Sequence, residues 1–283
     1  MTIGWFPGHM HKASKELDNA LLKTHVIIEV LDARAPVAST NPRIASMRPE
    51  LPRIRILNKS DLAQTEITQQ WQAYFDQQDN SICLSNTQQN PISARTLIAK
   101  ASDLVRKADQ IQFSQRKNQI VIGGIPNVGK STLLNQICEK KLAKTGNEPA
   151  VTLGQQRVRL SDSWILIDTP GLLWPKLTDQ HAAYLLAAIG TIRNTAIDAA
   201  DIAFFLAEHL SKHYQQRLFD RYRIVKSKNE AEIILSEIAN YRGSITNGGK
   251  IDWNKTAEIL LNDFRTGKLG RFSLERPPLG TDY

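Results

Sequence analysis

The chain has 283 residues, 41% of them hydrophobic and 23% charged, with 36 Lys+Arg against 28 Asp+Glu and a net charge of +8. At ~150 residues per domain this is one large domain or two ordinary ones, which excludes disordered and fibrous classes, and no apolar run approaches the ~18 residues of a membrane span. The N-terminus lacks a signal-peptide core and Cys83 and Cys138 stand isolated, so a cytoplasmic protein with two reduced thiols is expected, while the positive excess hints at a polyanionic partner such as nucleic acid.

Apolar β-branched runs at Val26–Leu31, Arg53–Leu57, Ser81–Leu84, Gln119–Gly123, Gln156–Leu160 and Trp164–Ile167 predict strands. Helical periodicity near Met10–Leu22, Thr65–Gln77, Ser93–Lys107 and Lys130–Cys138 separates most of them. Strands alternating with helices predict an α/β unit: a mostly parallel sheet with helices on both faces. Ser161–Ser163 is too short for a crossover helix, so the last two strands should form an antiparallel hairpin. Beyond Pro175 the pattern turns helical, through Tyr184–Ile189, Ala196–Glu208, Glu230–Tyr241 and Lys255–Arg265, the last capped by Asp252 or Asn254. The tail from Gly267 reads as irregular. The expected division is 1–177 and a smaller all-α unit, 178–283.

Gly124-Ile-Pro-Asn-Val-Gly129-Lys130-Ser131 fits G-x-x-x-x-G-K-[ST] between a strand and a helix. Its glycines let backbone N–H groups face phosphates, and the helix dipole favours an anion. Lys130 would reach the β- and γ-phosphates, and Ser131 would ligate magnesium. Asp168-Thr-Pro-Gly171 ends the strand Trp164–Ile167. There Asp168 suits a magnesium role through water and the Gly171 N–H a γ-phosphate, although the same residues make a good turn. Asn58-Lys59-Ser60-Asp61 matches N-K-x-D, the base-recognition motif of GTPases, or a plain turn after a strand. Asp61 would accept from guanine N1–H and the 2-amino group, which adenine lacks. Asn58 would contact the base and brace the loop, and the Lys59 stem would cover the ring. Ser85, Asn86 and Thr87 form a candidate second base loop, and Thr152 is a candidate switch threonine on the metal.

Here the base motif precedes the phosphate loop, the reverse of ordinary GTPases. This rotated order resembles the circularly permuted GTPases. Trp5-Phe-Pro-Gly-His-Met10, Asp32-Ala-Arg-Ala-Pro36, the three motifs above, Leu172-Leu-Trp-Pro175 and Ile259–Phe272 together resemble the YlqF/RbgA family over nearly the whole chain. One departure is Pro149-Ala150, where the family has Pro-Gly before the switch threonine.

The resemblance implies a GTP-hydrolysing assembly factor acting late on the large (50S) ribosomal subunit, with a helical RNA-binding C-terminal half. It implies a GTP site of Asn58, Lys59, Asp61, Ser85, Asn86, Thr87, Asn127, Val128, Gly129, Lys130, Ser131, Thr132 and Gly171. Mg2+ would be held by Ser131, Thr152 and, through water, Asp168. Leu172 occupies the position where many small GTPases carry a water-orienting Gln, and the resemblance points to His9 for that task. His9, Lys130, Thr152 and Gly171 are thus the expected catalytic set. Asn127 matches an asparagine that supports K+ in related GTPases, or makes an Asx turn. Slow intrinsic turnover, stimulation by the large subunit, rRNA and ribosomal-protein partners and a monomeric state are expected. The alternatives are an RNA-binding scaffold whose nucleotide is structural, and a P-loop kinase, which leaves N-K-x-D unexplained.

Residues 1–177 carry 22 Lys+Arg against 15 Asp+Glu, and residues 178–283 carry 14 against 13. The first half is therefore expected to face rRNA phosphates, with Lys140, Lys141 and Lys144 among the contacts, and Arg265, Lys268 and Arg271 as localised contacts in the second.

Overall fold

The computed structural model describes residues 17–108, 117–139, 156–169, 179–192, 197–224 and 230–278. Six strands form one sheet: β1 (Val26–Asp32), β2 (Arg53–Asn58), β3 (Ser81–Asn86), β4 (Asn118–Gly123), β5 (Gln156–Arg159) and β6 (Trp164–Asp168), in the order β3-β2-β1-β4-β6-β5. All neighbours are parallel except β5 and β6, which pair antiparallel as the short connection requires. β1 is buried along its whole length, the pattern of a strand covered on both faces, whereas edge strand β5 is half-exposed.

From β1 the chain builds outward through β2 and β3, returns to the centre for β4, and then builds the other way. The reversal between β1 and β4 opens a crevice at the carboxyl ends of the strands, where open α/β sheets bind ligands. Asp32, Asn58, Asn86, Gly123 and Asp168 all end strands on that edge.

The sheet half contains short α1 (Pro36–Ser39) and α2 (Pro42–Met47), a 3-10 turn at Ser60–Leu62, α3 (Thr65–Asp76), α4 (Ala94–Lys107) and α5 (Lys130–Cys138). Sequence periodicity missed α1 and α2. Each opens on a proline suited to a first helical turn and is too brief to show a 3.6-residue repeat. Of the helix expected near Met10–Leu22, residues 17–21 are described and helical.

The helical half contains α6 (Gln180–Ala188), α7 (Ala199–Tyr222), α8 (Ala231–Arg242) and α9 (Trp253–Arg265). Asp179, Asp198 and Asp252 cap α6, α7 and α9 with their carboxylates, so Asp252 rather than Asn254 starts the last helix. α7 runs well past the expected Glu208 and kinks at Tyr214. The division expected at residue 177 falls outside the described residues.

One apolar core runs through Val26, Ile28 and Val30 of β1, α6 to α9, and Leu269, Phe272 and Leu274 of the tail. The tail is irregular, as its Gly and Pro predict, yet it is tightly held. The Phe272 N–H bonds the Leu62 carbonyl at 2.9 Å and the Leu274 N–H bonds the Arg34 carbonyl at 2.7 Å. Trp71 donates its indole N–H to the Glu275 carbonyl, and Gln64 N–H donates to the Ser273 hydroxyl. The C-terminal residues thereby strap the helices onto the loop that follows β2.

Candidate functional site

The loop between β4 and α5 curls through left-handed backbone at Asn127 (φ 58°) and Gly129 (φ 96°). A Cβ on Gly129 would lie 2.3 Å from Asn58 Nδ2, so only glycine lets this loop meet the one after β2. Lys130, buried at the start of α5, donates Nζ to the Ile125 carbonyl at 2.8 Å, across its own loop. Burial pulls its ammonium down to about 8, against the attraction of Asp168.

Asp168 ends β6 with both carboxylate oxygens buried and without a hydrogen-bond partner among the described residues. Burial pushes its carboxyl up to about 6, opposed by Lys130. A buried, unsatisfied carboxylate is costly unless a cation or ordered water meets it. Together with the Ser131 hydroxyl on the first turn of α5, this oxygen donor set fits Mg2+.

The loop after β2 is fastened to the phosphate loop by side chains. Asn58 donates Nδ2 to the Val128 carbonyl at 2.7 Å, and Asn86 donates Nδ2 to Asn58 Oδ1 at 2.8 Å. Asn86 Oδ1 accepts from the Ile92 N–H, and its carbonyl accepts from Ser60 Oγ. Both amides are buried braces. Asn86 therefore holds the base loop in place rather than offering its side chain to a ligand, because its amide is already satisfied inside the protein. Lys59, left-handed at φ 56°, donates Nζ to the Asn127 carbonyl at 2.8 Å and to Asp32 Oδ2 at 3.1 Å.

Asp32 is the buried hub of this junction. Arg34 forks onto it, Nε to Oδ1 at 2.9 Å and Nη2 to Oδ2 at 2.8 Å. Burial alone would push the Asp32 carboxyl up, but Arg34 and Lys59 hold it well below the usual carboxylate range. The Arg34 guanidinium lies over the Phe264 ring of α9, 5.2 Å from its centroid. No site role followed from the sequence for Asp32 and Arg34. A charged pair at the carboxyl end of a mostly apolar strand, Asp32 closing it and Arg34 two residues on, was the available signal.

A cavity of about 650 Å³ opens here. Its sheet wall includes Asn58, Lys59, Asp61, Asn127, Gly129 and Thr132. Gln88, just after the second base loop, lines it, and Ser85, Asn86 and Thr87 do not. Thr87 instead accepts the Asn90 N–H in a local turn. Val128 is fully buried and contributes its carbonyl to Asn58. The opposite wall comes from the helical half, through Gly190 and α9. Asn127 donates Nδ2 to the Gly190 carbonyl at 2.9 Å, and its Oδ1 is the atom K+ would need. Arg265 donates to the carbonyls of Ala187 and Ala188, closing the end of α6. Arg265 is thus a latch between helices, with its guanidinium already engaged inside the protein. Lys268 and Arg271 remain exposed.

Part of the positive excess has internal uses. Arg53 donates to the Ile44 and Arg48 carbonyls, Arg55 lies over Phe75 beside Glu29, and Lys59 and Arg34 neutralise Asp32. Arg95, Lys107 and Lys117 stay exposed. His9, Lys140, Lys141, Lys144, Thr152 and Gly171 lie outside the described residues.

A family model described as a 50S ribosome-binding GTPase matches residues 119–239. The match starts at β4 and takes in the phosphate loop and Asp168-Thr-Pro-Gly171; Asn58–Asp61 lies upstream of it, in keeping with the permuted order. Proteins named ribosome biogenesis GTPase A from Bacillus cereus and Bacillus licheniformis are each 38% identical over 281 residues, covering 98% of this chain and 95% and 99% of theirs. The structure of GNP-bound YlqF from T. maritima superposes with a TM-score of 0.66 at 24% identity, covering 94% of this chain and 99% of that one, and so shares its fold.

Proposed function

The chain belongs to the ribosome biogenesis GTPase A family, and from that premise we propose that it acts late in assembly of the large ribosomal subunit, with GTP hydrolysis timing its release. Family membership makes it a circularly permuted GTPase that binds GTP and GDP and serves ribosome assembly. The observation that best supports a working nucleotide site is the Asn58–Val128 hydrogen bond. It fastens the N-K-x-D loop to the phosphate loop although 70 residues separate them, so base and phosphate recognition share one rigid edge.

In this reading Asp61 accepts the two guanine donors and the Lys59 stem, pinned at both ends, covers a ring face. The N–H groups of Asn127 to Thr132 cradle the phosphates. Lys130 leaves the Ile125 carbonyl for the β- and γ-phosphate oxygens, an exchange assisted because the acceptor that holds buried Lys130 among the described residues is a neutral carbonyl. Ser131, Thr152 and, through water, Asp168 would hold Mg2+, which would supply charge neutralisation on those oxygens. Leu172 cannot hold water, so His9 positions the attacking water through its imidazole. Asn127 is the residue that would hold K+ beside the β–γ bridge.

Large-subunit rRNA and ribosomal proteins are the proposed partners, met in the cytoplasm by a monomer. Among the described residues no helix is long and apolar enough to cross a membrane. The test is GTP turnover with and without purified large subunits. Stimulation that disappears in His9→Ala while GDP affinity stays native is expected. Turnover indifferent to subunits would favour an RNA scaffold with structural nucleotide.

A further inference from the structure

α9 has two faces of opposite character. Ala257, Leu260, Leu261 and Phe264 are buried in the core, whereas Glu258, Asn262 and Thr266 are exposed. Those three fall at i, i+4 and i+8, one stripe along the helix. An exposed polar stripe is ordinarily a solvated face. This one instead lines the cavity that also contains Lys59 and Asp61.

Its distance from the base loop is fixed by three contacts. Arg265 is hydrogen-bonded to the end of α6, Arg34 lies over Phe264, and Gly267 sits so close to Leu62 that a Cβ there would come within 2.7 Å of Leu62 Cδ2. The stripe is therefore held as a wall of the cavity by packing on its other face and by a latch at its end.

We propose that Glu258 and Asn262 recognise the ribose 2′-hydroxyl of the bound guanine nucleotide, making the helical half a specificity element of the nucleotide site. The inference rests on the assignment of this cavity to a guanine nucleotide. The chemistry follows by elimination. A carboxylate beside a polyphosphate ligand is repelled by the phosphates, and a donor from the ligand offsets that repulsion. The guanine N1–H and 2-amino group are claimed by Asp61. Besides the second 2-amino hydrogen, which stays on the base edge, the donors left in the nucleoside are the 2′ and 3′ hydroxyls, and a hydroxyl bonded to a carboxylate is a charge-assisted pair. Asn262, one turn nearer the Arg265 latch, carries both a donor and an acceptor, which suits a hydroxyl approached from its other side. The contact would report nucleotide occupancy to the helical half independently of the γ-phosphate, because GDP and GTP share the same ribose.

Calorimetric titration of the full chain with unlabelled GDP and 2′-deoxy-GDP tests this. The native protein should prefer GDP by about tenfold, the loss expected for one hydrogen bond to a charged group. Glu258→Ala places a good helix former at an exposed site, so the fold is retained. It should weaken GDP about tenfold, leave 2′-deoxy-GDP unchanged and bring the ratio of the two near one. Asn262→Ala should move the ratio in the same direction. A native ratio near one, or a ratio unchanged in Glu258→Ala, overturns the inference. Asp61→Asn separates the two levels of the argument. It should weaken both nucleotides equally with the ratio intact, and if it weakens neither, the assignment of the cavity itself falls.

Discussion

Asn127 of the phosphate loop donates its side-chain amide to the Gly190 carbonyl at the end of α6, 2.9 Å away. The loop that grips phosphates is thereby tied directly to the helical half of the molecule. Lys59 reaches the Asn127 carbonyl from the other side, so this one residue links the base loop, the phosphate loop and the helices.

Replacing Asn127 with Gly isolates that amide, because glycine tolerates the left-handed backbone that alanine would strain. Loss of a single neutral hydrogen bond should lower stability by about 1 kcal/mol, or about 2 °C in the melting temperature of a chain this long. If Asn127 also holds K+, GTP turnover in the variant should no longer distinguish K+ from Na+. A variant with native melting temperature and native K+ response would contradict both roles.

Gly129→Ala should be far more damaging than its size suggests. The new Cβ would lie 2.3 Å from Asn58 Nδ2 in a backbone conformation alanine avoids. Relieving that contact means breaking the Asn58–Val128 bond and separating the two recognition loops. GDP affinity should fall by about two orders of magnitude, with about 2 kcal/mol of stability lost to strain and an orphaned buried amide. Titration calorimetry and thermal unfolding measure the two effects, and near-native GDP affinity would show that the loops are not coupled through this contact.

Glu275 makes the strap sensitive to pH. Its carboxylate accepts the N–H groups of Val37 and Ala38 at the start of α1. Burial nevertheless pushes its carboxyl up to about 7, because those two bonds only partly offset desolvation. The sign follows from linkage: an acid whose folded value is raised contributes full stability below its ordinary value near 4.5, and that contribution is lost as pH rises toward 7. The cost at pH 8 is up to about 3 kcal/mol. Glu275→Gln, neutral at every pH, should be more stable than the native chain at pH 8 and show a flatter stability profile between pH 5 and 8. Parallel profiles for the two proteins would show that Glu275 does not titrate in this window.

The sequence by itself determined the elements and the motifs. Every strand start in the apolar β-branched runs falls within one residue of its structural position, because period and burial are local properties of a few adjacent side chains. The order of Asn58–Asp61 before Gly124–Ser131 announced the permutation, since motif order is written in the chain itself. Tertiary structure alone decided what those residues touch. Asn58 and Asn86 became braces, Asp32 and Arg34 a charged hub, Arg265 a latch and Gln88 a cavity wall. The partners of these groups come from strand ends, loops and helices that meet only when the sheet reverses direction between β1 and β4. A buried polar group must be satisfied by whatever the fold brings to its side, and that neighbour leaves no periodic trace in the sequence. The irregular tail is the clearest case: its residues predicted no element, yet their backbone and side chains bind the helices to the loop that carries Asp61.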